Sequence, residues 1–271
     1  MHEYVVVVMG PTGVGKSSFI QDSVSPGQRA KVKIGHTLQS ETNEVQPFCW
    51  NTKDGARVKL VDTPGFDDSR AGVTDQEILA RIVTFLIDVR NGLTGLIYVH
   101  RITDNRVGGT SQCNLQLFQK LCGDDSMKNV VIVTTMWDKG TTEERLQHEK
   151  ELMSSNSLFK PLLDGGAVMR RHDRTHKSAT NIIEYLTEKS PTTTRIFREH
   201  VQEGKALKDT AVGAELHRQI AEREKKPKEE MESLEADTRE MLHNTQNVSR
   251  HRSLVQPYLV SGQHHGECVI A

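Results

Sequence analysis

The stretch Tyr4-Val5-Val6-Val7-Val8-Met9-Gly10-Pro11-Thr12-Gly13-Val14-Gly15-Lys16-Ser17-Ser18 decides the architecture. Its first six residues form a continuous apolar run rich in β-branched side chains, the composition of a strand buried on both faces. Residues 10–17 fit G-x-x-x-x-G-K-[ST], and a helix is predicted to begin near Lys16. Strand, glycine-rich loop and helix in that order make a phosphate site. The glycines let the backbone curl so that N–H groups converge on phosphate oxygens, and the helix N-terminus adds a positive dipole. Gly10, Pro11, Thr12, Gly13, Val14 and Gly15, with Ser18 behind them, are the expected cradle. Lys16 is expected to reach the β- and γ-phosphates, and the Ser17 hydroxyl to ligate Mg²⁺.

Outward from this loop, similar apolar runs recur at Val58–Val61, Leu93–Val99, Val130–Thr134 and Ala167–Arg170. Between them lie stretches with helical spacing: Gln76–Val89, Glu143–Met153 (with Thr141 and Glu144 set for a capping box) and Ala179–Leu186. Buried strands alternating with helices predict an α/β fold, a P-loop NTPase three-layer sandwich around a mainly parallel sheet, with the Tyr4–Met9 strand central. This domain is expected over residues 1–189. Residues 190–247, rich in Glu, Lys, Arg and Gln, predict a helical extension of one or two exposed helices broken near Pro227, and 248–271 a flexible tail.

Composition removes several function classes. Lys and Arg number 35 against 36 Asp and Glu, so no basic field calls for nucleic acid as a partner. Cys49, Cys113, Cys122 and Cys268 are scattered without a CxxC pair, which argues against a disulfide framework or zinc ribbon and for a reducing compartment. The longest apolar runs fall far short of the ~20 residues that span a bilayer. The opening Met1-His2-Glu3-Tyr4 lacks the cationic start of a signal peptide, so a cytoplasmic protein is expected.

A second element, Asp62-Thr63-Pro64-Gly65, closes the strand Val58–Val61. A carboxylate at that strand end can hold Mg²⁺ through water, and the Gly65 N–H can sense a γ-phosphate. A third element, Thr134-Thr135-Met136-Trp137-Asp138, follows the strand from Val130. The three motifs in this order resemble those of the translation-factor-related GTPases. In that resemblance Thr135 and Asp138 fit the base-reading motif, while Met136 stands where a lysine is usual. The Asp138 carboxylate can accept both N1–H and N2–H₂ of guanine, a donor pair adenine lacks. GTP or GDP with Mg²⁺ is the implied ligand set.

Within that class the chain resembles the AIG1-type GTPases, related to septins and chloroplast-envelope GTPases, particularly their fungal members, over about Val5–Leu186. Ser40-Glu41-Thr42 resembles this group's first switch, which implies that Thr42 closes on Mg²⁺ and the γ-phosphate, with Thr37 as competitor. Asp62-Thr63-Pro64-Gly65-Phe66-Asp67-Asp68 matches the group's second switch, and His100-Arg101-Ile102-Thr103 resembles its G-R-[FY]-T. The resemblance places Arg101 on a face where two nucleotide sites meet in a homodimer, so Arg101 is expected to act in trans. Phe66 occupies the place of the water-orienting glutamine of Ras-like proteins, so slow hydrolysis is expected from the chain alone. For the contact to the guanine O6, His172 and Asp173 remain open, and the i, i+4 pair His172 and His176 lacks the third ligand that a metal site would need.

The chain ends Cys268-Val269-Ile270-Ala271, a C-a-a-X pattern that favours farnesylation and partial attachment to cytosolic membrane faces. The expected activity is a slow, dimer-stimulated GTPase with Lys16, Thr42, Gly65 and Arg101 at the phosphates. The alternatives are a nucleotide-binding scaffold without turnover and an ATP-binding P-loop protein.

Overall fold

A computed structural model describes residues 3–24, 45–51, 56–65, 75–89, 92–104, 109–222 and 224–225. Thr37, Ser40–Thr42, Phe66–Asp68, residues 226–247 and Cys268 lie outside them. Through residue 187 the described strands and α-helices in chain order are β1 (Glu3–Met9), α1 (Lys16–Ser23), β2 (Gln46–Asn51), β3 (Arg57–Asp62), α2 (Asp75–Asp88), β4 (Gly95–Arg101), α3 (Gly109–Cys122), β5 (Val130–Thr135), α4 (Thr142–Ser154), α5 (Lys160–Asp164), β6 (Val168–Arg171) and α6 (His176–Thr187).

Six strands form one sheet in the order β2-β3-β1-β4-β5-β6. The Tyr4–Met9 run becomes β1, flanked on both sides by parallel neighbours, with Val6 opposite Leu60 of β3 and Gly95 of β4. Both faces of β1 are buried from Val5 onward, as the unbroken valine run requires. β4, β5 and β6 continue in parallel, while β2 pairs antiparallel with β3 at the edge. β2 has the sequence QPFCWN, in which Pro47 interrupts any strand signal. An edge strand tolerates proline because one side of its backbone is unpaired, so tertiary position rather than propensity makes this strand.

Alternation along the strands sends side chains to two helical layers. Val6, Val8, Ile97, Val99, Val131 and Val133 pack with Phe19 and Ile20 of α1 and with Ile182, Ile183 and Leu186 of α6. Gly95 admits this close approach, since a Cβ there would stand 2.7 Å from the Leu186 methyls. On the opposite face Tyr98 meets Phe118 of α3 at 4.9 Å between ring centroids, and Lys59 of β3 lies over the Phe85 ring of α2. The capping box at α4 forms as its sequence predicts: the Glu144 amide donates to Thr141 Oγ1 and the Thr141 amide to Glu144 Oε2.

The compact unit does not stop at residue 189; it runs to Arg218. Leu93 and Thr192 exchange backbone hydrogen bonds of 2.9 and 2.7 Å, and Asn129 Nδ2 donates to the carbonyls of both Thr94 and Ser190. Ile196 and Val212 are fully buried. Glu199, buried, accepts from Arg195 Nε at 2.9 Å and from the Ala211 amide at 2.7 Å, joining two helical segments. Over 190–210 short helical turns fold onto the sheet domain in place of the expected exposed helix, because a few apolar side chains suffice to anchor an otherwise polar segment, and a helix runs over 211–222.

One buried group makes stability pH-dependent. His100 on β4 is packed edge-on against Phe159, with ring centroids 5.3 Å apart, and burial lowers its pKa to about 4. The folded value lies below the unfolded one, so the unfolded chain binds the extra proton between the two. Stability is full above pH about 6.5 and is lost as pH falls towards 4, by up to about 3 kcal/mol. Burial lowers His172 in the same direction. Urea unfolding near pH 7 and near pH 4.5 should show this loss, and His100→Leu should narrow the difference between the two.

Candidate functional site

The loop between β1 and α1 takes the curled form its glycines permit. Gly10, Gly13 and Gly15 have φ of 141°, 76° and 97°, a region that side chains with a Cβ rarely enter. A Cβ on Gly10 would also stand 2.4 Å from the Val99 carbonyl oxygen, so the loop leaves β1 pressed against the end of β4. α1 starts at Lys16 with Gly15 as its N-cap and no side-chain cap. Its first amides are therefore not taken by a capping side chain, which suits an anion at this terminus.

Lys16 is only 7% exposed. Its ammonium donates to the carbonyls of Gly10 at 3.0 Å and Pro11 at 2.8 Å, which holds the charge over the loop. The Ser17 hydroxyl donates to Asp62 Oδ2 at 2.6 Å across 45 residues of sequence. Thr63 Oγ1 donates to the Val8 carbonyl at 2.9 Å, fixing the end of β3 beside β1. Gly65 lies against Thr12 so tightly that a Cβ would come within 2.6 Å of the Thr12 nitrogen. The phosphate loop and the Asp62–Gly65 turn are thus in contact, and Ser17 and Asp62 present two hard oxygens at one point. That donor set fits Mg²⁺.

The base-reading motif is placed in two parts. Thr135 Oγ1 donates to the Val14 carbonyl at 2.8 Å and lies 3.3 Å from that of His100. Thr135 therefore braces the phosphate loop from β5 rather than offering its hydroxyl to a base. Met136 has φ of 62°, a left-handed conformation unusual for a side chain of its size. It starts a turn closed by the Lys139 amide on the Met136 carbonyl, which leaves Asp138 exposed. Trp137 Nε1 donates to the Thr134 carbonyl at 3.1 Å, and the Arg171 guanidinium stacks 4.3 Å over its ring.

His172 does not face a base. It is 1% exposed, with Nδ1 2.8 Å from Ser178 Oγ, Nε2 3.1 Å from Asp22 Oδ2 and its ring edge-on to Phe19. Both ring nitrogens are occupied, so His172 fastens the β6–α6 turn to α1. Burial lowers its pKa against the opposing pull of Asp22. Asp173 is the exposed member of the pair, its carboxylate held down to about 2 by hydrogen bonds from Ser178 and Thr175. His176 Nδ1 bonds the Asp22 carbonyl at 2.6 Å, so the two histidines share an aspartate rather than an ion. Among the described residues no cluster of three or more His, Cys, Asp or Glu could hold a metal.

Arg101 ends β4 beside the phosphate loop. Its Nη1 is 4.0 Å from where a Cβ on Gly13 would stand, and its Nε is 3.0 Å from Asp104 Oδ1. Asp104 was beyond the reach of motif reading, because an i, i+3 ion pair in a turn carries no sequence signature. Asp22, joined by Arg174 at 3.3 Å, was hidden because its partners come from distant positions in the sequence.

The sequence profile of the AIG1 family matches residues 4–165. GTP-binding protein A of Dictyostelium discoideum is 28% identical over 137 residues, covering 49% of this chain and 28% of that protein. Immune-associated nucleotide-binding protein 7 of Arabidopsis thaliana is 27% identical over 187 residues, covering 64% and 56%. The chain thus spans about half or less of the length of these relatives. Toc33 of Arabidopsis thaliana, solved with Mg²⁺ and GMPPNP, superposes with a TM-score of 0.53 at 16% identity over 70% of this chain and 87% of that one. Another match, at TM-score 0.53 and 20% identity over 69% and 83%, concerns atToc33 and psToc159, chloroplast translocon components for whose GTPase activity dimerization is important. At these identities the superpositions establish the P-loop GTPase fold.

The bracing role of Thr135 is open to direct measurement. Thr135→Val keeps the shape but leaves the Val14 and His100 carbonyls without their donor, at a cost of about 1–3 kcal/mol. Thermal unfolding should shift down, and nucleotide affinity should weaken about tenfold if that cost falls on the loop geometry. Gly10→Ala should destabilise the fold itself, because the clash is with main chain.

Proposed function

The chain belongs to the AIG1 family, and from that membership we propose that it is a guanine-nucleotide switch that binds Mg-GTP and hydrolyses it slowly to GDP and phosphate. The observation that carries this reading is the 2.6 Å bond from Ser17 Oγ to Asp62 Oδ2 at the foot of a glycine loop that already holds the Lys16 ammonium. Ser17 and Asp62, with Thr42, would hold Mg²⁺, Ser17 directly and Asp62 through water, and the bound ion would neutralise charge on the β- and γ-phosphate oxygens.

The chain's own groups do the rest. Loop amides and Lys16 grip the phosphates. The Gly65 amide, brought against Thr12 by the turn after β3, is suited to sense the γ-phosphate. Asp138, exposed at the end of the β5 turn, accepts the paired donors of guanine, with Asp173, exposed on the β6–α6 turn, as the remaining candidate at the base edge. In hydrolysis water adds to the γ-phosphorus and the bond from that phosphorus to the bridging oxygen breaks. GDP keeps the oxygen with its electron pair, and the water's proton leaves with phosphate. Phe66 can neither donate nor accept, so the chain alone orients water poorly. Dimerisation through the nucleotide face, with Arg101 at that face, is the proposed stimulus, and the dimerization described for atToc33 and psToc159 supports it.

Displacement of a fluorescent guanine nucleotide tests the ligand. GTP should compete and ATP should not; equal competition by both favours the ATP-binding alternative. Lys16→Ala should weaken binding by about tenfold to hundredfold, the loss of charge-assisted hydrogen bonds. Asp138→Asn should erode the preference for guanine over adenine. Phosphate release measured against chain concentration should rise per chain. A flat curve removes dimer stimulation, and no release at any concentration leaves the nucleotide-binding scaffold.

A further inference from the structure

The turn after β5 is fastened at both ends by one helix. At its far end the Arg145 guanidinium of α4 donates through Nη1 to the carbonyls of Lys139 at 2.9 Å and Gly140 at 3.0 Å. At its near end Trp137 is pinned twice. Its Nε1 donates to the Thr134 carbonyl and to Thr134 Oγ1, and its ring face is covered by the Arg171 guanidinium of β6. Arg171 is in turn gripped by α4. Its Nε donates to Glu149 Oε1 at 2.8 Å and its Nη2 to Glu149 Oε2, the two-pronged pairing that fixes the plane of a guanidinium. Arg145 and Glu149 stand four residues apart, on one face of α4.

Asp138 lies between these two anchors. Among the described residues its carboxylate has no hydrogen-bond or ion-pair partner, although the residues on either side of it are tied. A free carboxylate on a backbone held at both ends is ordered before any ligand arrives, so binding does not bear that cost. β6 does not need the clamp to stay in the sheet. Arg171 is in register with Thr134 in the parallel ladder, and the His172 amide donates to the Thr134 carbonyl at 2.9 Å. The Arg171 side chain is 50% exposed, and a half-solvated ion pair contributes direction more than stability. Direction matters at this place. A carboxylate that accepts N1–H and N2–H₂ of guanine together must present both oxygens in the plane of the base, and a small rotation loses one of the two contacts.

We propose that Arg171 is a positioning residue for base selection: by bridging Glu149 of α4 to the Trp137 ring, it sets the direction in which the Asp138 carboxylate meets guanine. The proposal rests on the guanine-nucleotide reading and adds to it a residue from the neighbouring strand that touches neither base nor phosphate. Arg171 acts through Trp137, the residue next to Asp138, so its effect belongs to the number of contacts the carboxylate makes and not to the grip on the phosphates.

Displacement of a fluorescent guanine nucleotide from the full chain by Mg-GTP and by Mg-ITP tests this. The base of ITP keeps N1–H and lacks the 2-amino group, so the ratio of the two affinities reads the second contact to Asp138. The unmutated chain should prefer GTP about tenfold or more, the worth of one hydrogen bond to a carboxylate. Arg171→Ala should bring that preference down to about threefold or less, chiefly by weakening GTP. Glu149→Gln, a milder change on α4, should act in the same direction, and Arg171→Lys, which keeps the charge without the fork, should not restore the ratio. In an Asp138→Ala background, Arg171→Ala should leave both affinities as they are. Equal weakening of GTP and ITP by Arg171→Ala marks a merely structural contact and overturns the proposal. So does an unchanged preference in both Arg171→Ala and Glu149→Gln, or an unmutated chain that prefers GTP to ATP yet binds GTP and ITP alike. In each of these cases the guanine reading stands. An unmutated chain that binds ATP as well as GTP removes that reading and the proposal with it.

Discussion

Parallel pairing of β1 with β3 on one side and β4 on the other is the constraint on which the site depends. Parallel strands present their C-terminal ends along one edge of a sheet, and at this edge three chain segments leave their strands together. Met9 runs into the phosphate loop, Asp62 into the turn that ends at Gly65, and Arg101 into the turn that carries Asp104. The pairing is itself a consequence of burial. Val5 to Met9 are enclosed on both faces, and a strand so enclosed needs a hydrogen-bonded neighbour on each side.

Around that edge, the side chains that hold the site outnumber those that would touch phosphate or base. Thr63 ties β3 to β1, Thr135 ties β5 to the loop, and His172 ties the β6–α6 turn to Asp22 of α1. Each is a buried polar group with its partners in place, and such groups add rigidity only when fully satisfied. The left-handed Met136 marks where this scaffold gives way to an exposed reading turn: Thr135 faces inward to the loop, Asp138 outward to solvent. Backbone strain at one residue is tolerated because hydrogen bonds on both sides over-determine it.

The segment after α6 follows the same economy of means. One backbone bridge at Leu93 and Thr192, one asparagine bonding two carbonyls and one buried glutamate fasten about thirty polar residues to the domain. Composition read along this segment gives a solvated helix, since apolar side chains are sparse. Of the few present, Ile196, Val212 and Leu216 are buried, which is what folds the segment back.

Sequence by itself determined the elements whose signal is local. The valine run, the glycine loop, the Thr141–Glu144 cap and the Asp-Thr-Pro-Gly turn each carry within a few residues the backbone freedom or hydrogen-bond chemistry that makes them. Their order along the chain was enough to predict a parallel P-loop sandwich and to name Lys16, Ser17 and Asp62 as its chemical centre. Tertiary structure alone decided whatever depends on distant partners. β2 is a strand because β3 needs an edge neighbour. Thr135 is a brace because Val14 lies above it, and His172 is a buried clamp because Asp22 and Ser178 take both of its nitrogens. Arg101 lies beside the phosphate loop, paired through Nε with Asp104, on a turn pinned by β5 and α4. A side chain's direction is set by the groups that fold around it, and those arrive from sequence positions that no local pattern reads.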